Sequence, residues 1–547
     1  MTRPDWELRE TAPEMRTRYL AEGHWTDDTL TKHVVKGFAA YPDLEFRVWS
    51  KTRPTRHTIG DCARLARGLA AGLAARGVSE GDVVAFQMPN CFEAGITFYG
   101  AALLGVVLVP IVHFYGPKEV HHILRESGAS VFLSFDHFGH RDFVADFPRA
   151  ADGIDSLEIV AFVGDRPPGT LAFDDLILEG GDVTPADPHP DSPAVVGYTS
   201  GTTSDPKGVI HTHRTLNAEM LHMTRGTGLQ RASLVGAPVG HAIGMQGGLL
   251  GPILRGLPVH LIDVWDPGMV LDALVEADLT AGSGSTYFLT SLLDHPNCTE
   301  EHHRLIKQVG MGGSAIPAAV SERAESLGIR LLRSYGSTEH PSTTGSRFED
   351  DRHQRLYTDG VPMPGVEVRL VDDDGMDAGD GPGEIWSRGP DLFVGYVNPA
   401  LTKIAIDPDG WYASGDIGVR DEHGAITITD RKKDIIIRGG ENISAAEVEE
   451  LLQQMPGVSE VAVVAAPDAR LGEIGCAHFR MLAGEPAPDL TAVQAALEAG
   501  GLARQKWPEL VREIAEFPRT PSGKIQKFVL RDRLRAEASS TEAPGST

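Results

Sequence analysis

At 547 residues the chain exceeds the roughly 250–300 that one hydrophobic core supports, so more than one domain is expected. A composition that is 41% hydrophobic, 23% charged and 7% aromatic excludes wholesale disorder, collagen-like repeats and a coiled coil. Lys and Arg number 50 against 76 Asp and Glu, and the resulting net charge of −26 argues against a protein that wraps nucleic acid or rests on anionic lipid.

Cys62, Cys91, Cys298 and Cys476 lie far apart and form no CxxC pair. That spacing excludes a zinc ribbon or redox dithiol and predicts free thiols in a reducing, cytoplasmic setting. Neither end carries a recognisable targeting signal.

In chain order, Thr58-x-x-Asp61 opens a helix that carries Leu65, Leu69 and Leu73 on one face and ends at Gly77. Val83–Phe86 reads as a strand. Residues Gly95 to Val112 are uncharged and nearly as long as a membrane span, but Gly100, Gly105 and Pro110 interrupt them. They predict a buried helix to about Leu104, opened by an Asn90-x-x-Glu93 capping box, then a strand over Val106–Val109. Further strands are expected at Val131–Ser134, Val259–Ile262 and Ile329–Leu332. The alternation predicts an α/β fold with helix-covered sheets. From about Gly365 short strands dominate; Ile417–Arg420 and Ala425–Thr429 flank a turn as a hairpin. A boundary is placed at the basic cluster after Asp430. Beyond it Ser444-x-x-Glu447 caps a helix and Val461–Ala465 is a strand, and the last dozen residues read as a flexible tail.

The most informative segment is Tyr198-Thr-Ser-Gly-Thr-Thr-Ser-Asp-Pro-Lys-Gly208. Glycine admits backbone N–H groups to an anion, the hydroxyls of Thr199, Ser200, Thr202, Thr203 and Ser204 donate to phosphate oxygens, and Lys207 adds a charge. The Walker A pattern is absent. A solvated Ser/Thr linker is the bland alternative.

Here the chain resembles the adenylate-forming superfamily of acyl- and aryl-CoA synthetases, firefly luciferase and peptide-synthetase adenylation domains. Ser204 stands where the family's loop has a second glycine. Four further motifs follow in the family's order: Tyr335-Gly-Ser-Thr-Glu339, Tyr412-Ala-Ser-Gly-Asp416, Gly439-Gly440-Glu441-Asn442 and Pro521-Ser-Gly-Lys524, with Ser414 replacing a threonine. The resemblance implies a large multi-subdomain N-terminal domain (1–430) with a small β-rich part. It also implies a small mobile α+β C-terminal domain (431–535) pivoting at Lys433, and a tail over 536–547.

It implies ATP binding by Thr199, Ser200, Gly201, Thr202, Thr203, Lys207, Ser314, Ala315, Tyr335, Gly336, Asp416 and Arg431. In it Tyr335 lies against adenine and Asp416 and Arg431 hold the ribose. Lys524 is the catalytic lysine, Thr338 contacts the α-phosphate, and Glu339 with Thr202 holds Mg2+. Gly439, Gly440 and Glu441 face CoA. His241, Ile243, Gly244, Met245, Gly284, Gly312 and Gly336 line the acyl pocket. That pocket motif has no aspartate, which disfavours an α-amino acid, and Gly336 replaces the tryptophan of acetate-specific relatives. Ser204 and Asp263-x-Trp265-Asp266 are also similar to cyclohexanecarboxylate and medium-chain acid ligases. The activity implied is ATP-dependent acid–CoA ligation.

Other readings remain. Gly310-Met-Gly312-Gly-Ser-Ala315 fits the GxGxxA pattern of a dinucleotide-dependent oxidoreductase, and a non-catalytic nucleotide-binding protein could share the fold. Asp155-Ser156-Leu157 reads as a surface turn, and the pairs His121-His122 and His302-His303 as solvated surface.

Overall fold

The computed structural model describes residues 3–199, 206–224, 231–282, 284, 286–313, 316–372, 374–379, 381–432, 434–439, 441–468, 470–520 and 523–541. A large N-terminal domain is built on helix-covered sheets, and a smaller C-terminal domain follows. In the first sheet Val83–Gln87 pairs in parallel with Val107–Ile111 and Val131–Phe135, joined by the helices Phe92–Leu103 and Pro117–Ser127. These fully buried strands explain the apolar runs read from the sequence. The sheet extends through Pro193–Thr199 and Lys207–Thr212 to Gly395–Tyr396 at its edge. A second sheet orders Thr280–Ala281, Ser233–Val235, Val259–Ile262, Glu45–Trp49 and Thr55–Thr58.

The uncharged stretch is resolved as expected into helix and strand, with Gly105 at φ +64° between them. No helix among the described residues is long and apolar enough to cross a membrane. The Thr58–Asp61 capping box is present. The one expected at Asn90 is not: Cys91 is the N-cap residue, without a side-chain hydrogen bond. Asn90 instead donates to the carbonyls of Ala237 (3.1 Å) and Ile262 (3.0 Å) and accepts from the Val239 N–H (2.8 Å). Tertiary partners outcompete the local cap and pin the segment leading to His241.

The strand expected at Ile329–Leu332 runs over Arg330–Tyr335 and delivers Tyr335 at its end. It lies parallel to Gln308–Gly312. The helix Glu300–Ile306 leads into that neighbouring strand. The β-rich part is an antiparallel sheet of Glu367–Val371, Gly383–Arg388, Tyr412–Arg420 and Ile426–Arg431, and it contains the expected hairpin. The fifth sheet, Ile436–Arg438, Glu441–Ile443, Val458–Asp468, Gly472–Met481 and Leu510–Glu513, forms the C-terminal domain with the helix Ala445–Leu452, which Ser444 caps. The expected tail is corrected in part: the helix Lys527–Thr541 occupies its first residues, and 542–547 lie outside the described residues. His302 is buried rather than solvated, its ring accepting the Thr299 N–H at 3.0 Å as a local cap.

Candidate active site

The antiparallel pair Pro193–Thr199 and Lys207–Thr212 sets Thr199 opposite Lys207 and so brings the two ends of the phosphate loop together. Ser200, Gly201, Thr202 and Thr203 lie outside the described residues. On the same strand Gly197 leaves room for Thr338: a Cβ there would stand 3.1 Å from the Thr338 methyl. Thr338 is held from the other side by His211, whose Nε2 lies 2.8 Å from its carbonyl oxygen, while Nδ1 meets Thr215 at 3.1 Å. Glu339 accepts a 2.7 Å hydrogen bond from the Tyr396 hydroxyl.

Tyr335 donates to Asp416 at 2.8 Å, and Arg431 Nε donates to the other carboxylate oxygen at 2.8 Å. The strands pair Asp416 with Arg431 directly, so the sheet itself builds this trio. Burial and the neighbouring carboxylate push the Tyr335 hydroxyl well above its ordinary range and keep it a neutral donor. Arg431 is held above its ordinary range, first by Asp416.

Lys524 comes from the C-terminal domain to lie against Gly313. A Cβ on Gly313 would lie 3.3 Å from its Cε and 3.6 Å from its Nζ. Gly313 adopts φ +75°, so a side chain there would be strained as well as in the lysine's way. Pro521 and Ser522 lie outside the described residues, but the loop's base is fixed: Arg519 pairs with Glu460, and the Thr520 hydroxyl accepts the Lys524 N–H at 3.1 Å. Arg519 also stands over the Tyr287 ring at 5.0 Å, and Glu450 accepts the Ala318 N–H at 3.0 Å, so the two domains meet at several points.

His241 opens the short helix Ala242–Met245. Desolvation and then the Lys524 charge push its imidazole down to about 4, so it is neutral at pH 7. Gly244 and Met245 are buried and Ile243 is partly exposed. A small apolar cavity is lined by Gly284 with Trp265, Phe288, Val309 and Met311 among others, but by none of residues 241–245. Gly312 ends its strand against Ser334, with no space for a Cβ: the Ser334 carbonyl would be 2.7 Å away. Ser314, Ala315, Lys433 and Gly440 lie outside the described residues. Gly439 sits at φ +59° and its N–H donates to Leu471 at 2.8 Å, and Glu441 begins the strand Glu441–Ile443.

Gly336 has no room for a side chain. On this backbone a Cβ at 336 would lie 2.0 Å from the Pro341 carbonyl oxygen, so a side chain there meets the chain itself. Gly336→Ala is expected to cost about 1–3 kcal/mol or more of stability, read as a lowered melting temperature. Gly336→Trp is expected to disorder the site rather than shorten an acyl pocket. A normally melting tryptophan variant with a shifted chain-length preference would overturn this.

The oxidoreductase reading loses its footing. Gly310 and Gly312 lie within a strand, and the next helix starts only at Ala318, after Pro317, so no glycine turn leads directly into a helix N-terminus. Asp155 and Ser156 do lie in a turn. One residue beside these motifs, Tyr396, has no signal in the sequence. Tyr396 stands 57 residues from Glu339, and no local spacing marks the pair.

The AMP-binding enzyme family matches residues 35–397, and the AMP-binding enzyme C-terminal domain matches 447–524. The chain belongs to the AMP-binding enzyme family. It is 34% identical over 525 residues, 95% of this chain and 92% of the relative, to a medium-chain fatty-acid–CoA ligase of Escherichia coli (strain K12). It is 31% identical over 474 residues, 85% of this chain and 91% of the relative, to an indoleacetate–CoA ligase of Aromatoleum aromaticum. Among solved structures, ATP-bound MatB from Rhodopseudomonas palustris superposes with a TM-score of 0.80 at 26% identity, covering 92% of this chain and 99% of that one. The anthranilate–CoA ligase AuaEII in complex with anthranoyl-AMP shares the fold, with a TM-score of 0.82 at 23% identity, over 94% of this chain and 98% of that one.

Proposed function

We propose that the protein is an ATP-dependent acid–CoA ligase that activates an apolar carboxylic acid larger than acetate. The observation that carries this reading is Lys524, which the second domain brings against Gly313 and close enough to His241 for its charge to act there. A nucleotide-binding protein without chemistry would not need a lysine delivered from a second domain.

In the first step a carboxylate oxygen bonds to the α-phosphorus of ATP as the bond to pyrophosphate breaks. The carboxylate is already ionised at pH 7, so no general base is required. Lys207 and Lys524 offset the charge that gathers between two anions, and Asp416, Arg431 and Tyr335 hold the ribose and adenine in line. Glu339 fits a Mg2+ site: it is a buried carboxylate, and such a site commonly takes one or two protein carboxylates, with phosphate and water completing the shell. Thr202 would be its neighbour. Bound Mg2+ would supply neutralisation of the triphosphate.

In the second step the CoA thiol attacks the acyl carbon and AMP leaves. Gly439, Gly440 and Glu441 would border the thiol's path after the C-terminal domain (431–535) pivots at Lys433 and withdraws Lys524. The free thiols of Cys62, Cys91, Cys298 and Cys476 fit a reducing compartment such as the cytoplasm.

The apolar acid is supported by the medium-chain and aromatic acids named for the relatives. A panel of carboxylic acids assayed for pyrophosphate release, with and without CoA, tests it. Medium-chain or aryl acids are expected to outperform acetate, each buried methylene contributing about 0.8 kcal/mol. Pyrophosphate from no acid of the panel would overturn the reading.

A further inference from the structure

The carboxylate of Glu339 does not stand alone. The edge strand Gly395–Tyr396 pairs with the strand that begins at Lys207, with Tyr396 opposite Val209. This pairing lays the Tyr396 ring under Lys207, whose Nζ is 5.6 Å from the ring centroid, and points the hydroxyl at Glu339 Oε1, 2.7 Å away. Tyr396 is only 3% exposed, so water does not compete for that bond. The backbone agrees: the Phe393 N–H donates to the Glu339 carbonyl at 2.8 Å, and the Phe393 ring packs edge-on against Tyr396.

We infer that Tyr396 is a positioning residue for adenylation: its hydroxyl fixes one oxygen of Glu339 so that the other is presented in one orientation to the cation that accompanies ATP. A carboxylate has two oxygens that can each accept, and an isolated glutamate samples several rotamers. Tying Oε1 to a buried donor removes that freedom before the nucleotide arrives, as a hydrogen bond behind a metal ligand does elsewhere. The same ring lies against the phosphate-loop lysine, so one side chain sets the spacing between the lysine and the carboxylate.

This inference rests on the reading of Glu339 as the carboxylate that holds Mg2+. The test compares wild type, Tyr396→Phe, Glu339→Gln and Phe393→Leu. ATP binding is measured calorimetrically across a range of Mg2+ concentrations, with thermal melting of each protein. Tyr396→Phe keeps the ring and removes only the hydroxyl. It is expected to raise the Mg2+ concentration for half-maximal ATP binding about tenfold, the scale of one hydrogen bond to a charged group. Glu339→Gln is expected to raise it further. Phe393→Leu loosens the same packing without touching the hydroxyl and is expected to leave the Mg2+ dependence where it was. If Glu339→Gln shifts the dependence and Tyr396→Phe does not, or if Phe393→Leu shifts it as much as Tyr396→Phe, the inference is overturned and Tyr396 is a packing residue. If Glu339→Gln shifts nothing, the assignment of Glu339 itself falls, and the role of Tyr396 falls with it.

Discussion

Lys524→Ala is expected to slow acyl-adenylate formation by on the order of a hundred- to a thousandfold, the usual cost of removing one preorganised group that stabilises transition-state charge. The lysine reaches Gly313 from a separate domain, and its charge adds to burial in lowering the proton affinity of His241. ATP binding is expected to suffer much less than turnover, since the interaction matters most when charge builds up between carboxylate and α-phosphate. The second half-reaction, measured from preformed acyl-adenylate and CoA, should be largely spared. The measurement is single-turnover pyrophosphate release set beside thioester formation. Equal loss of both half-reactions would sink the assignment and make Lys524 a structural residue.

Asp416→Asn should give the opposite pattern. Asp416 is buried and is the shared acceptor of Tyr335 and Arg431, both at 2.8 Å. An amide keeps the shape but loses the charge opposite Arg431 and one of two acceptors. Hydrogen bonds to a charged group are worth about 1.5–3 kcal/mol each, so ATP affinity is expected to fall by roughly ten- to a hundredfold. The acyl-adenylate carries the same ribose, so both half-reactions should weaken together. Binding titrations with ATP, and thioester formation from preformed adenylate, check this. An Asp416→Asn variant impaired only in pyrophosphate release would show that the carboxylate acts on the phosphates rather than on the ribose.

The contrast between these variants depends on where each residue sits along the chain. Asp416 and Arg431 face one another in a two-stranded register, and the hairpin that makes them neighbours is legible from its turn, Asp421 to Gly424. Lys524 is far from everything it approaches. Its motif suggested chemistry, but only the packed domains put it against Gly313.

Local physics explains what the sequence determined. Helix and strand periodicities, the caps at Thr58 and Ser444, the glycine break at Gly105 and the motifs from Tyr198 to Lys524 all depend on residues a few positions apart, and they sufficed for an α/β fold and an adenylating enzyme. Tertiary structure decided the rest. Asn90 had the spacing of a cap and was taken by two distant segments because buried amide groups go to the strongest set of partners. Gly336 is held without a side chain because the Pro341 carbonyl, brought there by the fold, occupies the space a Cβ would need. Tyr396 carried no local signal, since a hydrogen bond between residues far apart in sequence depends on sheet register and loop path. Chemistry written in contiguous motifs was therefore readable, whereas the groups that hold those motifs in place were set by long-range packing alone.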